Sequence, residues 1–332
     1  MNAGDKAAVA GKVQCLVRLN RQSEAQDFLN STSALTEDER KQWQENLFAP
    51  PAKGQYKFNY NLMNDSNVIQ LGSNYSSKKE SLRHLIGGGI QKEFLTLMDW
   101  SISGLGYFNL ASSVEKSLQS QDPMILIGGL SFQKDNRWKL QALFEKYYLD
   151  EEDSGTRKNT LNRFSFEAAF LWQGSKISNN ILSLALFNSQ NKSSLATGDY
   201  DYGGGTTRIS WQNRIQYPFM QRLSTEFAYE RNNAKGKQMG YAEYFGFSQL
   251  DFFITDEVYL GVLGQVKMRD FPQNTDERHD ILLACGGAGG WQFSKSFLVT
   301  AHIQSERNQS YSDLYSYTRT VMGLGLTYEG FF

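Results

Sequence analysis

The chain lacks the marks of a helical membrane protein, a disulfide scaffold or a nucleic-acid binder. Its 332 residues hold two cysteines, three histidines and five prolines, with a formal net charge of -1. No run of eighteen apolar residues occurs, so helical membrane spans are excluded. Cys15 and Cys285 lie in different regions without metal-like spacing. That argues against a disulfide framework or a zinc site and makes both structural and reduced. A near-neutral chain offers no concentrated basic field for phosphates, so no nucleic acid is expected as a partner. The start, Met1-Asn-Ala-Gly-Asp-Lys6, has no apolar signal region, and a processed or truncated chain is expected.

What is abundant is glycine, 29 residues, and aromatic side chains, 14 %. Mean hydropathy is -0.50, which leaves membrane residence open, because barrel strands turn half their side chains toward a polar lumen. The informative feature is two-residue alternation. Met322, Leu324, Leu326 and Tyr328 share one face of the last segment, and the chain stops on Phe332. Strict alternation carried to a terminal aromatic is how a lipid-facing barrel strand closes.

The same pattern recurs upstream. Val258, Leu260, Val262, Val266 and Met268 oppose Tyr259, Gly261, Gln265, Lys267 and Arg269. Thr207, Ile209, Trp211 and Ile215 oppose Arg208, Ser210, Gln212 and Arg214, and Leu223, Phe227 and Tyr229 oppose Arg222, Ser224, Glu226 and Glu230. Phe164, Phe166, Phe170 and Trp172 oppose Arg163, Ser165 and Glu167, while Trp138, Leu140 and Phe144 oppose Arg137, Lys139 and Glu145. Soluble sandwiches and barrels also alternate, but over strands of usually ~5 to 6 residues. Runs of about ten point to an all-β transmembrane antiparallel barrel, and the charged positions just named are expected to line its lumen. Mixed signs there suit internal ion pairing as readily as a selective channel.

Tight turns at 133–136, 174–177, 218–219, 255–256 and 294–296 alternate with longer connectors. Short turns on one rim and long loops on the other place the termini in the periplasm of an outer-membrane barrel. Counting strands from Tyr56 and including 67–75 gives an odd total, whereas single-chain barrels are normally even. Either the Tyr56 segment is no full crossing, leaving about fourteen strands, or one was missed and there are sixteen; fourteen is favoured. Trp100, Trp138, Trp172, Tyr217 and Trp291 near strand ends suit interfacial girdles, with core packing as the alternative.

Residues 1–50 lack this period and read as helices, with 51–332 as the barrel. Asp5 to Leu19 and Ser23 to Asn30 have helical spacing, a helical hairpin. Thr36 to Glu39 has capping-box spacing ahead of a third helix ending before Pro50-Pro51. Gly11, Asn20, Ala25 and Leu29 resemble the small and turn positions of a tetratricopeptide repeat, beside the alternative of any short helical bundle.

No catalytic constellation stands out. His84, His279 and His302 have no metal-ligand spacing, and Ser305 points away from the face of His302. Asp150-Glu-Glu-Asp153 could bind calcium, but such a run is more often a solvated loop. The Gly87–Gly89, Gly203–Gly205 and Gly286–Gly290 runs lack the Lys or Ser/Thr of a phosphate cradle; in strands such glycines allow bending or lie under an aromatic ring. No metal, cofactor or enzyme activity is implied.

Asp65-Ser66-Asn67-Val68, Arg269-Asp270, Arg278-His279-Asp280, Ser310-Tyr311 and Tyr317-Thr318-Arg319 resemble the surface lipoprotein assembly modulator family. The resemblance implies periplasmic tetratricopeptide repeats joined to a fourteen-strand barrel that helps lipoproteins reach the cell surface; barely one repeat is present here. Exopolysaccharide exporters share this plan. The expected function is therefore an outer-membrane translocation barrel whose helices dock periplasmic or surface protein cargo, or polysaccharide. Its expected partners are outer-membrane lipids and, through the C-terminal strand, the barrel assembly machinery. A structural barrel closed by paired charges and a passive porin are the alternatives.

Overall fold

In a computed structural model of the protein, the residues described are 9, 12–13, 22–32, 35–40, 54–66, 80–97, 99–115, 118, 122–149, 157–175, 177–193, 198–217, 221–274, 278–311 and 313–331. The chain divides into two compact units, Met1–Lys53 and Gly54–Phe332. In the first, helix α1 spans Gln22–Ser31. Its Ala25 and Leu29 are buried together with Val9, Val13 and Leu35, and Phe28 packs at the edge of this cluster. A further helical turn at 37–40 opens on a reciprocal cap. The Glu39 N–H donates to Thr36 Oγ1 at 3.3 Å, and the Thr36 N–H donates to Glu39 Oε2 at 3.0 Å, satisfying two helix-end donors at once. Gly11, Cys15, Asn20 and the acidic run 150–153 lie outside the described residues.

The second unit is a single sheet of fourteen strands that closes on itself. The strands are β1 Gly54–Asp65, β2 Ser81–Leu97, β3 Trp100–Ser113, β4 Met124–Lys134, β5 Trp138–Leu149, β6 Lys158–Ser175 and β7 Ser178–Asn191, followed by β8 Gly204–Tyr217, β9 Gln221–Ala234, β10 Tyr241–Phe253, β11 Val258–Asp270, β12 His279–Ser294, β13 Phe297–Ser310 and β14 Tyr317–Phe331. Each pairs antiparallel with its sequence neighbours, and β14 returns to β1 from Gln55↔Phe331 to Asp65↔Val321. Closure leaves no row of unpaired backbone groups, which is what a sheet needs inside hydrocarbon.

The short β2–β3, β4–β5, β6–β7, β8–β9, β10–β11 and β12–β13 connections share one rim with Gly54 and Phe331, and the seven longer ones share the other. At the β4–β5 turn both Asp135 and Asn136 have positive φ, 51° and 54°, and the Arg137 N–H donates to the Lys134 carbonyl at 2.9 Å. This is the two-residue turn whose twist matches the paired strands.

One sequence expectation is corrected here. The Tyr56 segment is a full crossing, β1, paired on both sides along its length. The described barrel closes with fourteen strands without the proposed 67–75 segment. Asp65 and Ser81 are cross-strand partners, so the chain between them leaves and re-enters the barrel at one rim, and residues 67–75 themselves fall outside the described residues.

Register sorts the side chains by face. Outward stand Leu324, 61 % exposed, and Val262, 56 %, with Leu182, Leu184 and Leu186 of β7 and Leu260 of β11. A ring of exposed aliphatics this wide has no place in water and is the surface a bilayer solvates. The outward set of β11 spans ten residue steps, from Val258 to Met268. That is ~33 Å along the strand, or an apolar band of about 25 Å at the tilt usual for such barrels.

At the short-turn rim an outward aromatic belt borders this band. It includes Trp100, Trp138, Trp172, Tyr217 and Trp291, each at or near a strand end. Ring centroids lie 4.7 Å apart for Trp138 and Phe170, 5.3 Å for Phe293 and Phe297, and 4.6 Å for Phe297 and Tyr328. Cys285 is a free, exposed thiol on the outer face of β12. Leu324, Leu326 and Tyr328 face outward on the closing strand, and Phe332 lies outside the described residues. Among the glycines that lie under rings, a Cβ at Gly89 would collide with Tyr107, and one at Gly290 with Tyr259, so each strand interior needs a residue without a side chain there.

Leu324 sits mid-strand in β14 on the lipid face. Leu324→Arg is expected to destabilise the folded barrel by about 2–4 kcal/mol, read as a lower urea midpoint in lipid vesicles. A midpoint equal to the parent's contradicts a lipid-facing Leu324.

Candidate functional site

The inner wall is built where alternation turns polar residues inward. On β5 and β6, Glu145 accepts from Tyr147 Oη at 2.6 Å, and Arg163 Nη1 lies 3.8 Å from Glu145 with its guanidinium 5.6 Å from the Phe187 ring. Across β8 and β9, Arg208 donates to Glu226 at 2.8 Å and Glu230 at 3.3 Å, and Tyr241 Oη donates to Glu230 at 2.6 Å. Arg222 grips Asp251, 1 % exposed, at 2.6 and 2.9 Å, and Gln249 donates to the other Asp251 oxygen at 2.7 Å. Arg269 donates to Glu243 at 2.5 and 2.9 Å and covers the Tyr241 ring at 4.4 Å.

At the closing seam Arg319 of β14 makes a bidentate pair with Asp65 of β1, 2.7 and 2.9 Å, and reaches Glu306 of β13 at 3.5 Å. Arg83 holds Asp122 at 2.9 Å, and Ser113 donates to the same carboxylate at 2.9 Å. Arg278 pairs with Asp280 and lies between the rings of Phe271, 4.4 Å, and Tyr315, 3.4 Å. Most of these acids are buried. A carboxylate there is tolerable only with a fork of donors upon it.

Among the described residues, every inner-face ion pair joins adjacent strands, or a strand to a nearby loop, and none crosses the lumen. Three inner cavities stand out among the described residues. The largest, about 750 Å³, opens at the short-turn rim between Asn136, Arg137, Asn179, Arg214, Arg222 and Asp251. A second, about 510 Å³, lies toward the long loops among Glu243, Lys267, Arg269, Asp280, Tyr317 and Arg319. A third, about 290 Å³, is walled by Arg163, Phe187, Tyr202, Glu230, Tyr241 and Phe271.

Of the residues expected in the lumen, Lys139 and Glu145 lie on the inner face of β5, and Arg163 and Glu167 on that of β6. Arg208 and Arg214 take the inner face of β8, Arg222, Glu226 and Glu230 that of β9, and Lys267 and Arg269 that of β11. Arg137 is in the β4–β5 turn at the cavity mouth. Sequence reading missed the buried partners Asp122, Glu243 and Asp251. The inner face of β10 also carries Tyr241, Phe245, Phe247 and Phe253, so both of its faces read as apolar and the alternation hid two acids. His302 faces inward against Gly323, whereas His84 faces outward and bonds Tyr60 Oη through Nδ1 at 2.7 Å.

No protein-family model matches the chain, and no curated protein matches it. Among solved structures it is similar to a bacterial polysaccharide outer membrane secretin, 9 % identical over 83 % of this chain and 97 % of that one, TM-score 0.48. It is also similar to the outer membrane channel DcaP of Acinetobacter baumannii, 10 % identical over 83 % and 96 %, TM-score 0.49, and to outer-membrane expressed OmpT of Vibrio cholerae, 10 % identical over 84 % and 98 %, TM-score 0.45. Likeness this slight carries no statement about what this chain does.

Arg319→Ala removes the guanidinium that holds Asp65 at the seam. The expected cost is about 3–5 kcal/mol, measured as loss of the folded, heat-modifiable band at lower temperature. The double variant Asp65→Asn/Arg319→Gln should recover most of it. Equal loss in single and double variants counts against the pair as a closing contact.

Proposed function

We propose that the chain is an outer-membrane channel of a bacterial envelope that passes small hydrophilic solutes, with short turns and termini in the periplasm and long loops at the cell surface. The observation that supports this most directly is the direction of the inner ion pairs. Each paired guanidinium is held against the wall by a neighbouring strand or loop, so these charges are balanced laterally and the barrel axis is left to water. A barrel sealed by charge would need pairs reaching across the lumen. The outer belt would be solvated by outer-membrane lipids, β14 would be the strand presented to the barrel assembly machinery, and the helices of residues 1–50 would dock a periplasmic partner. The reading is of a conduit rather than an enzyme.

One observation favours a second reading, assistance to surface lipoproteins. Residues that carry the family resemblance, Arg269, Arg278, Asp280, Tyr317 and Arg319, converge on the 510 Å³ cavity, and Asp65 is clamped by Arg319 beside it. Cavities of this size suit small ligands and hold no folded protein, so such cargo would have to leave through the β1–β14 seam. An extended polysaccharide, threaded ring by ring, would instead use the lumen.

Planar-bilayer recording tests the channel. Discrete conductance steps are expected, and Arg208→Ala, which leaves Glu226 and Glu230 without their shared cation, should shift selectivity toward cations. A current indistinguishable from the bare bilayer rejects the channel and favours an anchoring barrel.

A further inference from the structure

The cavity at the short-turn mouth has a chemistry that the rest of the wall does not share. Its inner-face residues form cross-strand rows. Asn179, Arg214, Ser224 and Gln249 run across β7 to β10, and Gln212, Glu226 and Phe247 form the next row inward. Arg137 joins them from the β4–β5 turn.

Here positive charge is carried by side chains without ion pairs. Three guanidiniums, Arg137, Arg214 and Arg222, line the cavity with two carboxylates, Glu226 and Asp251. Asp251 is already engaged by Arg222 and Gln249, and Glu226 by Arg208. Among the described residues Arg137 and Arg214 carry no ion pair, and both are exposed to the cavity's solvent. The lining therefore holds one net positive charge and two unclaimed guanidinium forks, which suit a singly charged carboxylate.

Of the remaining lining, Asn136, Gln173, Asn179, Gln212 and Gln249 bring amides to the cavity, and Ser224 adds a hydroxyl. Amides offer donor and acceptor together, as sugar hydroxyls do, whereas a bare carboxylate would leave them unused and a neutral sugar would leave the guanidiniums unused. The Phe247 ring supplies an apolar face for ring C–H groups. About 750 Å³ is the size of a small-ligand site.

We propose that this cavity is a binding site for a sugar acid, a small polyhydroxylated molecule bearing one carboxylate, with Arg137 and Arg214 on the carboxylate and Asn179, Ser224 and Gln249 on the hydroxyls. The proposal names the solute class for the channel reading and rests on that reading for its transport role. Binding itself can be tested without any current.

The probes are galacturonate, galactose and acetate, titrated calorimetrically against the full chain folded in detergent micelles and added to either side of a planar bilayer. Galacturonate is expected to bind at least about tenfold more tightly than galactose or acetate, the worth of one charge-assisted hydrogen bond. It is also expected to interrupt current more strongly from the short-turn side. Arg137→Ala/Arg214→Ala should lose that tenfold preference. Both side chains are exposed, and folding of the variant is read from its heat-modifiable migration; if it fails to fold, Arg137→Gln/Arg214→Gln replaces it with the same expectation. Equal binding of galacturonate and galactose, no binding, or a preference that survives in the variant overturns the site. Absence of current with the calorimetric preference intact rejects the channel and leaves the binding site standing.

Discussion

Everything in the barrel depends on a backbone requirement. In hydrocarbon an N–H or C=O without a partner costs several kcal/mol, so a sheet can sit there only if its first and last strands find each other. The β1–β14 ladder meets that requirement over its full length, and both ends of the seam are reinforced by side chains. At the long-loop end Arg319 clamps Asp65. At the short-turn end Tyr56 and Tyr328 meet with hydroxyls 3.1 Å apart. Neither contact needs to supply much energy if the ladder is intact. Their geometric role is to fix register, because a slip of one residue would turn Leu324 inward and Arg319 toward lipid.

Closure also explains the inner charges. Once the sheet is a cylinder, neighbouring inward side chains are held at cross-strand distance, and an arginine on one strand has a carboxylate within reach on the next. Such pairs are expensive to desolvate singly but tolerable when forked and shared, as Arg208 is between Glu226 and Glu230. Aromatic rings recur beside them, Phe187 by Arg163 and Tyr241 by Arg269. Each ring face accepts the flat guanidinium and keeps the long side chain along the wall rather than in the lumen.

The strand architecture was legible from sequence because lipid on one side and water on the other impose the two-residue period directly. Val258 to Met268 and Leu324 to Tyr328 show it without ambiguity. It weakened where the environment is not two-sided. The inner aromatics of β10 masked Glu243 and Asp251. Asp122, which binds Arg83 from outside any strand, has no period to betray it. Which arginines pair and which stay unclaimed depends on register between strands far apart in the chain, which no local pattern carries.

Distribution around the wall bears on what a solute meets. From β1 to β4 the middle of the inner face is Asn59, Asn61, Gly87, Tyr107, Asn109 and Ile127, without a formal charge. From β5 onward it carries the guanidinium–carboxylate pairs. A solute inside therefore lies between a neutral arc and an arc of guanidinium–carboxylate pairs. At the short-turn mouth Arg137 and Arg214 stand without ion pairs among the described residues. Entry from that side meets these two guanidiniums first. Entry from the long-loop side meets the Phe271, Arg278 and Tyr315 stack first. The two mouths thus differ in chemistry as much as in loop length, so solutes held at one need not be held at the other.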